Sequence, residues 1–474
     1  MDEVAFMQKH LFFDDNKLFS KENVTRDYGS PELVGEYIDA SVSTDFCTGW
    51  VFRLRDGKYR LLYFGHSAEF EHHKLFSAIS SDGVRFIPEP VFDVSKDVEK
   101  QYPNEILDIG SAEIPFIYED THTEKANERY KLLLSYVSRD DIKVMDDVYV
   151  SPDLIHWERL DGAAWGDGAE PLASVFYNKH KDVHTVIERS FWGIRSAGYK
   201  ETKDFINYTE FRHCLNVDSL DEDLSEIYGM YAFEYDGNYI GIPHIYRGFG
   251  SGLQTKFNSG IIDTQLAYSS DGRYWRRSLR KPFISGADGS LDKKHPLVWV
   301  SGMARINGDI YLYASASERE HGPAFRTPGT GKILIFRLRT DGFISLKTTD
   351  KSRESIIATR EKIWHGGEPC VNLKAKRATL AVYTTASQDE GLNILGTATP
   401  LEGYGHEDCI AFSGDCTDWI PKYKSGKLVS DLVGKTLVFE IKFEDGELFS
   451  FSGDYTDAFN VEAAVYRRHG VLRI

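Results

Sequence analysis

Short runs in which apolar and polar residues alternate dominate the chain, and tight-turn signals separate them. Trp50-Val51-Phe52-Arg53-Leu54 is followed by Arg55-Asp56-Gly57 and then by Lys58-Tyr59-Arg60-Leu61-Leu62-Tyr63-Phe64. Tyr231-Ala232-Phe233-Glu234-Tyr235, Asp236-Gly237-Asn238 and Tyr239-Ile240 repeat the scheme. Alternation with period two reads as strand, and Asp-Gly between two such runs predicts a hairpin, because glycine tolerates the positive φ of the turn. The 3.6-residue spacing of an amphipathic helix is scarce.

The hairpins recur as part of a larger unit with a spacing of roughly 50–70 residues. Each unit has a first strand, a tight turn, a second and third strand, a Ser-x-Asp-Gly-like turn, an aromatic and a short last strand. The turns are Ser80-Ser81-Asp82-Gly83, Ser151-Pro152-Asp153, Lys203-Asp204-Phe205, Ser269-Ser270-Asp271-Gly272 and Thr340-Asp341-Gly342-Phe343. Five four-stranded antiparallel units in series predict an all-β fold, a five-bladed β-propeller over residues 1–356. A pair of β-sandwiches is the alternative. The opening residues, to about 36, are expected to close or buttress the ring. From 357 to 474 the pattern changes to strands without the repeat, such as Ala378–Tyr383 and Thr436–Ile441, and predicts a β-sandwich. The Asp of each Ser-x-Asp-Gly turn is expected to be structural.

Composition narrows the partners. Of 474 residues, 73 are acidic and 56 basic, a formal net charge of −17. Nucleic-acid and anionic-membrane affinity rest on basic charge, so neither is expected as a partner. No apolar run is long enough to span a bilayer, and the first residues lack a secretory pattern. The five cysteines (Cys47, Cys214, Cys370, Cys409 and Cys416) form no Cys-x-x-Cys pair, which predicts reduced thiols and a cytoplasmic protein. No metal or cofactor motif is present, so none is expected. The 13% aromatic content suits strands and also sugar stacking.

In a propeller the starts of the first strands converge on one axial cavity, and chemistry is expected there. The candidates are Asp39 and Asp45 in the first blade, Asp108 and Glu113 in the second, and Glu170 in the third. Glu226 is the candidate in the fourth, with Trp299 in the fifth. Any one of these acids is by default a solvated loop residue. As a set drawn from separate blades they match what glycoside cleavage needs, one carboxyl to protonate the leaving oxygen and another to activate water or attack. Catalytic roles are expected for Asp39, Glu113, Glu170 and Glu226. Substrate contacts are expected from Asp45, Asp108, Arg189, His244, Arg247, Trp299 and His321.

Several segments resemble the five-bladed propeller glycoside hydrolases of families 32 and 43, and more narrowly uncharacterised bacterial family-32-like glycosidases. They are Leu11–Asp15, Glu128–Leu132, Glu226–Met230, Asp263–Gly272 and Gly446–Phe451. The resemblance spans nearly the whole chain and implies three carboxylates from separate blades acting on a saccharide. The Trp-Met-Asn-Asp-Pro, Arg-Asp-Pro and Glu-Cys-Pro signatures of family 32 are absent, so fructoside specificity is not implied. The expected activity is hydrolysis of a small saccharide. A phosphorolytic enzyme, with Arg189, His244, Arg247 and His321 around phosphate, and a non-catalytic carbohydrate-binding propeller are the alternatives.

Overall fold

The computed structural model describes residues 7–40, 42, 46–66, 73–93, 95, 100–110, 115–138, 143–163, 170–190, 194–248, 260–284, 295–321, 329–384 and 399–458. The described elements are strands and short 3-10 turns, and the chain is all-β as its pattern predicts. No helix among them is long and apolar enough to cross a membrane. Contacts divide the chain into two compact units, residues 30–339 and residues 1–29 with 340–474.

The 30–339 unit is built from repeated antiparallel modules. The first contains strands Phe46–Arg53, Tyr59–His66, Lys74–Ser80 and Ile87–Pro88, with Glu105–Asp108 also on Lys74–Ser80. The second is Phe116–Glu119, Tyr130–Ser138, Lys143–Ser151 and Glu158–Arg159, and the third Glu170–Asn178, Val183–Arg189, Ala197–Thr202 and Arg212–Leu215. The remaining strands form one eight-stranded sheet. A single bridge, Ile262 to Leu297, joins its two halves. One half holds Ser225–Tyr235, Asn238–Gly248, Gly260–Thr264 and Ala267–Ser269, here module four. The other, module five, holds Leu297–Ile306, Asp309–Ser317 and Gly331–Leu338. Its outer strand comes from the other end of the unit, for Glu32–Tyr37 pairs antiparallel with Gly331–Leu338. Only the end of the opening segment therefore completes the last module, while residues 1–29, which the repeat assigns to the first domain, fall in the other unit.

The Ser-x-Asp-Gly turn works as a hydrogen-bond knot. Gly83 N–H donates to Ser80 Oγ (2.9 Å), and the N–H groups of Val84 and Arg85 donate to Asp82 Oδ1 (2.9 and 2.8 Å). The same bonds recur at Ser151/Asp153, Thr202/Asp204 and Ser269/Asp271. Gly83 and Gly272 take positive φ (74° and 73°), as the turn requires. Leu154 and Phe205 occupy the equivalent positions at φ 71° and 58° and are fully buried. There the core offsets the backbone strain.

Thr340-Asp341-Gly342-Phe343 is a different element from the one expected. Asp341 belongs to the other compact unit. It accepts from Lys9 Nζ (2.8 Å), Asn372 Nδ2 (3.1 Å) and Ser450 Oγ (2.6 Å). Residues 340–356, which the repeat assigns to the first domain, pair instead inside this second unit. Ile344–Thr348 bonds Val24–Tyr28 and Glu447–Asp457, and Ser355–Thr359 bonds Thr436–Glu444. The described strands of this unit form one nine-stranded sheet, with Trp364, Phe439, Phe451 and Tyr455 in its core.

Candidate functional site

The first strands of all five modules contribute to one cavity of about 600 Å³, through Trp50–Phe52, Phe116–Glu119, Val175–Tyr177, then Tyr231, Phe233 and Glu234, and Gly302–Met303. Except in the four-residue second strand, these residues sit in the later half of each strand. The starts of the same strands therefore lie at the opposite end of the modules from these lining residues, where convergence of function is expected.

At that end, Tyr228 organises a cluster. The ladder between Ser225–Tyr235 and Asn238–Gly248 pairs Ile227 with Ile245 and Gly229 with His244, so Tyr228 is an extra residue in a β-bulge. A bulge re-aims its side chain relative to strict alternation. The Arg189 guanidinium lies over the Tyr228 ring, 4.4 Å from its centre, and Arg189 Nη1 donates to the Tyr228 carbonyl (3.2 Å). The Tyr228 hydroxyl meets His321 Nε2 at 3.0 Å. Arg195 also reaches the Tyr228 ring (5.5 Å), and its Nη1 donates to Glu226 Oε2 at 2.8 Å. Glu226 is 2% exposed, so this charge-assisted bond is shielded from water. Tyr246 and Trp299 close the cluster, at 6.1 and 6.5 Å from Tyr228 between ring centres. Burial, with the charges of Arg195 and Arg189, pulls His321 down to about 4, so its imidazole is neutral near pH 7. The cluster thus holds the Glu226 carboxylate, two guanidiniums, two phenols, an indole and a neutral imidazole.

Of the expected residues, Arg189, Glu226, Trp299 and His321 are brought together here. His244 is buried nearby, its Nε2 on the Val300 carbonyl (2.9 Å). Arg247 is on the other face of module four. Successive ladder residues face opposite ways, and while Tyr246 shares a face with Glu226, Arg247 turns to Asp263 and to Glu222 (3.0 Å). Asp39 is bound into the packing between modules one and five, where it accepts from the Tyr63 hydroxyl and from Asn104 Nδ2 (3.0 Å). Asp108 is exposed and caps a turn through Gly110 N–H (2.9 Å). Glu170 begins its strand with its backbone directly across from Arg189. Asp45 and Glu113 lie outside the described residues. Arg195, Tyr228 and Tyr246 escaped the sequence reading. Tyr228 stands two residues after Glu226, a spacing that could have marked it. Among the described residues, no group of three His, Cys, Asp or Glu side chains is placed to hold a metal ion.

No protein-family model matches the chain, and no curated protein matches it. Solved structures do show likeness. A β-1,2-mannobiose phosphorylase from Listeria innocua aligns at TM-score 0.44 and 12% identity, over 71% of this chain and 98% of its own. An N-acetylgalactosamine deacetylase from F. plautii aligns at 0.43 and 14%, over 67% and 95%. A glycosyl hydrolase from Bacteroides ovatus aligns at 0.41 and 15%, over 68% and 96%. At these scores the likeness assigns no activity to this chain.

Proposed function

We propose that residues 30–339 form a five-bladed β-propeller and that the protein is a glycosidase acting on a small saccharide at the Tyr228 cluster. A β-sandwich is the reading that accompanies it for the second unit. The observation that carries the functional reading is the shielded Glu226–Arg195 pair beside Tyr228, at the starts of strands whose later halves share one cavity. Glycoside hydrolysis moves a proton to the leaving oxygen and adds water at the anomeric carbon, and two carboxyl groups divide that work. Glu226, held by Arg195, suits the carboxylate that activates water or attacks carbon. Glu170, whose backbone faces Arg189, is assigned the proton donor. Tyr228, His321 and Trp299 supply hydroxyl contacts and a ring face for the sugar.

One feature favours a second reading, phosphorolysis. Arg189 and Arg195 both stand over Tyr228, and two guanidiniums over one ring suit an anionic co-substrate. The test incubates the protein with aryl glycosides and disaccharides, with and without inorganic phosphate. Free reducing sugar without phosphate supports hydrolysis. Sugar 1-phosphate formed only with phosphate supports the second reading. Turnover of no glycoside in either arm overturns both.

A further inference from the structure

The axial cavity has a second feature at its inner end. A throat of about 20 Å³, room for one water-sized group, shares Trp50, Phe116 and Tyr231 with the 600 Å³ chamber. His244 and Trp50 both line this throat, and each is 3% exposed. His244 Nε2 donates to the Val300 carbonyl, which fixes the hydrogen on that nitrogen and leaves Nδ1 an acceptor. Nδ1 has no partner among the described residues, and neither does the indole N–H of Trp50. A buried donor and a buried acceptor without partners are costly, and the two residues that carry them line one small space. Burial holds His244 neutral, with its pKa down to about 3, so neither group brings charge to the throat.

The chamber outside the throat differs in chemistry. Its walls are rings, among them Phe52, Tyr118, Tyr177, Tyr231 and Phe233. Polar groups such as His122 and Lys179 stand exposed at its margin. The volume falls in the range of small-molecule sites. A purely apolar ligand would fit the walls and leave Trp50 and His244 unpaired. An ion would find no counter-charge in the throat. A hydroxyl both donates and accepts, and a sugar ring presents a C–H face to aromatic side chains.

We propose that this chamber is a saccharide-binding site separate from the Tyr228 cluster. One pyranose lies against the ring walls, and one of its hydroxyls enters the throat, donating to His244 Nδ1 and accepting from Trp50 Nε1. The site stands whether or not the Tyr228 cluster is catalytic, since its readout is binding.

The test titrates the full chain with methyl α-D-glucopyranoside, methyl β-D-galactopyranoside and methyl α-D-mannopyranoside by saturation-transfer NMR. At least one is expected to bind saturably. Met303→Trp, which fills the chamber, is expected to abolish that binding. Trp50→Phe, which keeps an aromatic ring but loses the indole N–H together with the five-membered part of the indole, is expected to weaken it roughly 2- to 10-fold or more. Tyr177→Ala, at the half-exposed margin, is expected to weaken it as well and serves if a buried variant fails to fold. Absence of binding by all three glycosides overturns the proposal. So does binding that survives both Met303→Trp and Tyr177→Ala, which would put the sugar elsewhere. Unchanged affinity in folded Trp50→Phe would leave water in the throat and overturn the hydroxyl contact.

Discussion

The Arg189 guanidinium stacks on the Tyr228 ring, 4.4 Å from its centre, while the same arginine holds the Tyr228 carbonyl. One residue thereby fixes both the backbone and the ring of a bulge. A planar guanidinium does this and an ammonium does not. Arg189→Lys is therefore expected to lower kcat/KM by roughly 10-fold or more, through loss of positioning. Circular dichroism and steady-state kinetics on one preparation check it, and a variant with wild-type kcat/KM would show that the stack does not position the site.

Two buried histidines set a pH dependence of stability. Folded His321 and His244 titrate at about 4 and about 3, below the value of about 6.5 in an unfolded chain. The unfolded chain then binds more protons than the native one between those limits. Stability is full above about pH 6.5 and falls as pH drops towards 4. Urea midpoints taken from pH 7.5 to 4 are expected to decline, and His321→Gln is expected to flatten the slope.

The turn aspartates act lower on the scale. Burial opposes their ionisation, but the backbone N–H donors of each knot prevail and hold the carboxyls of Asp82, Asp153, Asp204 and Asp271 below their usual range. Their contribution is present above the unfolded value of about 3.9 and is lost as pH falls through the lower folded values. Asp82→Asn is expected to melt below wild type above about pH 4, with the gap narrowing as pH falls further, seen in thermal melts taken across that range.

Gly83 tests the knot from the backbone side. A Cβ there would lie 2.3 Å from Ile306 Cδ1, and φ is 74°. Gly83→Ala is expected to cost roughly 1–3 kcal/mol. Leu154→Ala, at the equivalent turn of module two, keeps the strained φ and loses a fully buried side chain, so a cost of roughly 2–5 kcal/mol is expected. Denaturant titration measures both.

Much of the fold was legible because its signals are local. Asp56-Gly57 and Asp236-Gly237 announced hairpins, and Gly57, Asp236 and Gly237 do take positive φ. The turn knots were legible for the same reason, even where Leu154 and Phe205 replace glycine. What was hidden depends on partners remote in sequence. Ring closure by the end of the opening segment was legible only in outline, since nothing near Glu32–Tyr37 names Gly331–Leu338 as its partner. Thr340–Phe343 imitates a module turn, yet Asp341 serves Lys9, Asn372 and Ser450. The site was half legible. Glu226 and His321 were chosen by their place in the repeat, whereas Arg195 arrives from a loop and Tyr228 from a bulge, which periodicity does not report. Asp39 fitted the positional rule, but its described partners, Tyr63 and Asn104, belong to packing between modules.

The central claim is that Glu226 takes part in cleaving a glycosidic bond. The most direct measurement is kcat/KM of wild type and Glu226→Gln on whichever glycoside the wild type turns over, with melting curves confirming that both are folded. Glu226→Gln preserves shape and removes the carboxylate, and a loss of roughly 10²–10⁴-fold is the expected result. Equal rates in the two folded proteins would contradict the account.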